Sequence, residues 1–353
     1  MVVKLRQASA APAEGDAVAA PPAEIAPNAP AAVAIAAPAA APAAADDDEV
    51  PPPNDGSMPS IDMLPTFVAD MQKSHDFALQ FAAVRGIRKL LSKEHNPPIQ
   101  QVIDSGAVPH LVHLIKPGVA RATLQFEATW ALTNIVSGNS AHTRLVIDAG
   151  ALPLFTQLLR SPSKQVREQA IWALGNAAGD SPAHRDMVLA AGCAPRLAEM
   201  ATSEVEPSIL RNVTWAISNL CRGKPAVSFA SVSCFVQPLA KLLCSADEEI
   251  IADAGWAFSY ITENDRGDGH GDPIQVVITT PGVVDRLVAL LSHRVASVQT
   301  VALRTVGNIV TGNDQQTQCM LDAGCLGPIG ALMSHVKKGL RKEASWVISC
   351  VRH

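Results

Sequence analysis

The chain has 353 residues, 48% of them hydrophobic and 17% charged, with only 4% aromatic and a formal net charge of −5. That charge excludes a general nucleic-acid or membrane-surface binder, since both are engaged through a basic face. No apolar run approaches the roughly 18 residues of a membrane span, and Met1 to Asp16 lack the continuous apolar stretch of a secretory signal. Seven cysteines are scattered without a CxxC pair, the usage expected of reduced thiols in a packed interior.

Residues 1–60 read as a low-complexity tail. The first 50 residues hold 21 alanines and 7 prolines, and no aromatic residue precedes Phe67. Frequent proline prevents a stable alanine helix, and so few large apolar groups cannot offset the entropy of ordering. The segment closes on Asp46, Asp47, Asp48 and Glu49, followed by Pro51, Pro52 and Pro53. Disorder is the expected state.

From Ile61 onward the sequence repeats itself. FEATWALTNIVSG, EQAIWALGNAAGD, LRNVTWAISNLCRG, IADAGWAFSYITEN and TVALRTVGNIVTGND align, and KEASWVISCVRH begins a sixth segment. Their anchors are Trp130, Trp172, Trp215, Trp256, Arg304 and Trp346, spaced by 42, 43, 41, 48 and 42 residues. A small-residue element precedes most of them, as in DSGAVPHLVHLI and DAGALPLFTQLL. A period near 42 residues falls in the range of armadillo and HEAT arrays. Each unit reads as helices only, with Gly and Pro at the break between them, as at Gly106-Ala107-Val108-Pro109. The expected fold is all-α: an armadillo-type α-solenoid over residues 61–353, of six to seven repeats with the last incomplete, wound as a right-handed superhelix.

Helical geometry picks out the informative side chains. With Trp130 set at 0° and about 100° per residue, Ala128, Ala131, Leu132, Ile135 and Val136 form one apolar stripe, the core side. Asn134 and Glu127 fall beside Trp130, away from that stripe. The same placement holds for Trp172 with Asn176 and for Trp215 with Asn219. A lone tryptophan would read as packing, but all five in the chain share one lattice position, usually four residues before an Asn.

This lattice has a chemistry. Asn carries both a donor and an acceptor and can grip one peptide unit of an extended backbone. Parallel indoles make slots for long aliphatic stems with a cationic head over the rings. Carboxylates at the slot ends would fix Lys or Arg, and Asp180, Asp253, Glu127 and Glu168 are placed for that. The expected ligand is an extended peptide rich in lysine and arginine, bound to exposed indoles.

These segments, with LLSKEHNPPIQQVIDSGAVP upstream, closely resemble the importin-α (karyopherin-α) adaptors over residues 61–353. WALTN, WALGN, WAISNLCRGK and GNIVTGND in this order are more specific than a general armadillo pattern. The resemblance implies a nuclear import adaptor that binds nuclear localisation signals of cargo and shuttles between cytoplasm and nucleus. It implies a major signal-binding site on Trp130, Asn134, Trp172, Asn176, Trp215 and Asn219. Gly138, Thr143 and Asp180 match the family's pocket for the critical cargo lysine. Gln169, Asn212, Asp253, Trp256 and Tyr260 match further contacts. Ser92 and Leu91 match an upstream contact whose usual neighbouring Arg is Lys93 here. Asn308, Val310, Thr311 and Trp346 begin the minor site, where Cys350 stands in place of an Asn.

The family also carries a basic segment that binds importin-β and folds back into the groove. Residues 1–60 hold only Lys4 and Arg6 as basic residues, so an importin-β contact of that kind is not expected. The remaining expectations are a monomer with no cofactor, no metal site and no catalytic constellation. Asn264 to Pro273, with its Arg266-Gly267-Asp268 triplet, reads as a solvated loop. The basic cluster of Lys337, Lys338, Arg341 and Lys342 reads as a solvated helix start. The competing reading is an armadillo scaffold for some other extended peptide, not coupled to importin-β.

Overall fold

A left-handed glycine sets the joint between the first two helices of a repeat. Gly106, Gly150, Gly192, Gly282 and Gly324 have φ of 77° to 83°, a region costly for any residue with a Cβ. At the first of these joints the Gly106 N–H donates to the Ile103 carbonyl at 3.0 Å. That bond closes one helix, and the next begins at Ala107.

The computed structural model describes residues 56–203, 206–263 and 271–351. They fall into two compact units, divided between Gln169 and Ala170. The first unit opens with a 3₁₀ turn at Ile61–Met63, then α1 (Leu64–Asp70), α2 (Phe77–Leu91), α3 (Ile99–Asp104), α4 (Ala107–Leu114), α5 (Ala122–Val136), α6 (Ser140–Asp148) and α7 (Ala151–Leu158). Helix α8 (Lys164–Asp180) supplies residues to both units. The second unit continues with α9 (Pro182–Ala190), α10 (Ala194–Ser203), α11 (Pro207–Cys221), α12 (Phe229–Val232), α13 (Val236–Leu242) and α14 (Glu248–Glu263). It ends with α15 (Pro273–Thr279), α16 (Val283–Leu290), α17 (Ala296–Val310), α18 (Asp314–Asp322), α19 (Leu326–Leu332) and α20 (Lys338–Val351). There is no strand among the described residues, and no single described helix is long and apolar enough to cross a membrane.

The long third helices carry the anchor residues and pack on one another within each unit. In the first unit α2 lies against α5; in the second α11, α14, α17 and α20 pack in succession. The predicted apolar stripe is the buried one: Ala128, Ala131, Leu132 and Ile135 are 0% exposed and Val136 is 3% exposed. Burial of each large aliphatic side chain contributes about 1.5–3 kcal/mol. Threonines inside these helices bond back to the previous turn, as Thr129 Oγ1 does to the Gln125 carbonyl at 2.7 Å. A hydroxyl is thus accommodated on a buried face.

Two sequence expectations are corrected here. Cys193, Cys221 and Cys325 are buried, but Cys319 and Cys350 are half-buried and Cys234 and Cys244 are exposed, the first in a 3₁₀ turn and the second just past the end of α13. Asp272 and Pro273, assigned to a loop, start α15, with Asp272 as its N-cap. Residues 1–55 of the expected tail and the Arg266-Gly267-Asp268 triplet lie outside the described residues. Lys338, Arg341 and Lys342 do open a helix, α20, where the Arg341 guanidinium donates to the His335 and Val336 carbonyls.

Candidate functional site

Counting back 42 residues from Trp130 and Asn134 reaches Arg88 on α2 and Ser92, its C-cap, and the structure joins these side chains in two pairs. The Arg88 guanidinium lies 4.4 Å from the Trp130 ring centroid. It also donates to Glu127 at 2.6 and 3.2 Å. Asn134 Nδ2 donates to Ser92 Oγ at 3.0 Å. Glu127, expected to meet ligand cations, is buried and already neutralised by Arg88. Leu91 is buried, and only Ser92 of that upstream pair meets the lattice.

The indoles are less open than expected. Trp130, Trp172, Trp215 and Trp346 are half-buried, and Trp256 is only 8% exposed. For four of the five a covering neighbour is visible. Phe126 tilts against Trp130 with ring centroids 5.5 Å apart. Trp215 lies on Gly175, where an added Cβ would stand 2.2 Å from the ring, and Trp346 lies on Gly307 in the same way. Trp256 is covered by Tyr260, stacked at 5.9 Å and 20°. In the second unit the third helices approach closely enough that Trp215 and Trp346 each pack one edge on a glycine of the preceding third helix.

The carboxamides follow the same rule. Asn219 is 9% exposed and donates to the Gly175 carbonyl at 3.1 Å. Asn308 is buried and donates to the Ser259 carbonyl at 2.8 Å. One N–H of Asn219 therefore ties neighbouring helices together and leaves its second N–H and its carbonyl, whereas the Asn308 amide is engaged twice, since it also donates to Thr262 Oγ1 at 3.2 Å. Asn176 and Asn212 are half-buried.

The expected lysine-pocket residues differ among themselves. Thr143 is 0% exposed, and its hydroxyl donates to the Val136 carbonyl at 3.0 Å. It shapes the turn and is closed to a ligand. Gly138 is half-buried, and a Cβ there would stand 2.4 Å from His142 Nδ1. Asp180 closes α8, and its Oδ2 lies 2.8 Å from His184 Nδ1. Gln169 is 2% exposed, and its Oε1 has no hydrogen-bond partner; burial closes it to direct contact. In the later repeats Val310 is buried, Thr311 is exposed and donates to the Asn308 carbonyl, and Arg304 pairs with Glu343 at 2.9 Å.

Asp253 sits one turn before Trp256 on α14 and is half-buried. Burial, reinforced by Glu249 and Asp247, pushes its carboxyl up to about 7. In the unfolded chain it ionises at ordinary carboxylate values. The native state therefore holds this proton more tightly, and stability from the group declines as pH rises from the carboxylate range through about 7. Asp253→Asn should raise the melting temperature by several degrees at about pH 8 and by little at about pH 4. A pH-independent difference in calorimetric melting would contradict the burial argument.

Two residues that contact predicted site residues, one in each unit, were not singled out from the sequence. Arg88 could have been found by stepping the repeat back once from Trp130. His184 lies four residues after Asp180 across a Ser-Pro helix break, and the break hides the i, i+4 relation.

Comparison with known proteins agrees with this architecture. Residues 95–137, 139–179, 181–222, 272–311 and 313–349 match the Armadillo/beta-catenin-like repeat, and the chain belongs to the armadillo-repeat family. Within it, the relatives are importin-α subunits. Importin subunit alpha-1b of Oryza sativa subsp. japonica is 48% identical over 284 residues, covering 80% of this chain and 52% of that protein. Importin subunit alpha-B of Dictyostelium discoideum is 50% identical over 255 residues, covering 72% and 48%. The chain spans about half the length of the curated relatives it matches. A solved engineered protein superposes with a TM-score of 0.73 at 26% identity, over 82% of this chain and 68% of that one.

Proposed function

We propose that residues 61–353 form the cargo-binding array of a nuclear import adaptor, with residues 1–60 as a tail outside it. In this reading the array holds the lysine- and arginine-rich nuclear localisation signal of a cargo protein in an extended conformation, and the adaptor shuttles between cytoplasm and nucleus. The observation that carries it is the repeated pairing of a half-buried indole with a carboxamide one turn later, at Trp130/Asn134, Trp172/Asn176 and Trp215/Asn219. An indole packed along one edge is held rigid and still presents surface to an aliphatic stem, so little is lost in ordering it. A carboxamide with one N–H committed keeps a second N–H and a carbonyl for a ligand backbone. Asp180 supplies the charge that selects an ammonium, with Asp253 as a second acidic position.

The test is calorimetry with a lysine-rich peptide and an acidic peptide of equal length. The basic peptide should bind, more weakly at higher salt, and the acidic one should not. Replacing Trp172 and Asn176 together by Ala should cost more than about tenfold in affinity. Unchanged affinity in that double variant would remove the lattice from the site.

A further inference from the structure

The Asp180 carboxylate carries a histidine on one oxygen. Ser181 caps α9 through its hydroxyl, which accepts the His184 N–H at 3.2 Å, and Pro182 occupies the first turn. This tight break returns His184 over the end of α8, with Nδ1 2.8 Å from Asp180 Oδ2. The two side chains are 8% and 6% exposed, so water screens the contact poorly.

We propose that His184 is a positioning residue for Asp180 and competes, when protonated, with the ammonium of a bound lysine, so that capture of a basic peptide weakens on acidification. The inference rests on Asp180 being the lysine receptor. With His184 neutral and its proton on Nδ1, that N–H donates to the Asp180 carboxylate and fixes its aim. With His184 protonated, an imidazolium already neutralises that carboxylate, and an arriving ammonium either expels the proton or meets a like charge.

The titratable and charged groups nearby are these. On α9 itself, Arg185 is 1% exposed, and its guanidinium points away, donating to Asp186 and to the Arg222 and Pro225 carbonyls. Helix α11, which packs on α9, ends in the buried thiol of Cys221, followed by Arg222, an exposed residue. Burial pushes that thiol up, so it stays protonated where imidazoles titrate. In the second unit Asp253 also gains a proton on acidification, in the same direction, and the experiment removes it.

The experiment measures the affinity of an N-acetylated oligolysine peptide at about pH 8 and about pH 5.5, either side of the imidazole range. The protein is the full chain carrying Asp253→Asn, with and without His184→Gln, which keeps a neutral donor. The readout is the ratio of the two affinities. That ratio should be about tenfold with His184 present, as one linked proton allows, and close to one with Gln. An unchanged ratio in His184→Gln overturns the proposal while leaving the peptide reading intact. Failure of oligolysine to bind the unsubstituted chain at the higher pH, or equal binding by Asp180→Asn, overturns both. Should His184→Gln not fold, calorimetry of the Asp253→Asn protein in buffers of different ionisation heat decides. Proton release on binding near the imidazole range supports the proposal, and none overturns it.

Discussion

Asp180→Lys should abolish binding of a basic peptide, with a loss of at least about a hundredfold. The substitution places an ammonium where the ligand's ammonium would sit, turning attraction into repulsion in a site that excludes most water. It also deprives His184 of its 2.8 Å partner and so presents a second potential cation to the ligand. Asp180→Asn should fall between, since it removes the charge and keeps an acceptor. Calorimetric titration measures both, with circular dichroism melting to show that the helices persist. A wild-type affinity in Asp180→Lys would place the ligand's lysine elsewhere.

Gly175→Ala should destabilise the second unit by about 1–3 kcal/mol, the usual cost of overpacking. Helix propensity alone gives the opposite sign, since Ala for Gly in a helix interior gains about 1 kcal/mol. The contact decides between them. The new Cβ would stand 2.2 Å from Cζ3 of Trp215 and 2.9 Å from Cε3 and Cη2. The indole is rigid, so relief requires α11 to retreat or Trp215 to leave its rotamer. Either movement also disturbs the Asn219 bond to the Gly175 carbonyl, 3.1 Å long, and peptide affinity should drop with stability. Urea denaturation checks the sign; a more stable Gly175→Ala protein would show that the indole yields freely.

Much of this architecture was legible because its rules are local or periodic. The small-residue joints are visible as Gly followed by a helix start, and the buried stripe of α5 follows from the angular period alone. The lattice of Trp and Asn was legible for the same reason. What the period could not show is what one repeat does to the next. Glu127 looks like a free carboxylate until Arg88, one repeat earlier, is seen to hold it. Trp256 looks equivalent to Trp130, yet Tyr260 in place of Asn gives it a stacking partner that covers it. Thr143 matches a pocket position by alignment, but its hydroxyl is consumed by its own turn. These outcomes depend on distances between helices, which a one-repeat helical wheel does not contain.

The amide of Asn219 has a consequence for how such a face changes over generations. Its N–H stitches α11 to the Gly175 carbonyl of α8, while its remaining polar atoms belong to the face assigned to ligand. A substitution there is tested by selection twice, once for folding and once for recognition. Drift at this position is therefore slower than either constraint alone would impose, and new specificities have to be written at neighbouring positions that carry no stitch. Asn176 and Asn212, half-buried on the same face, are where that latitude remains.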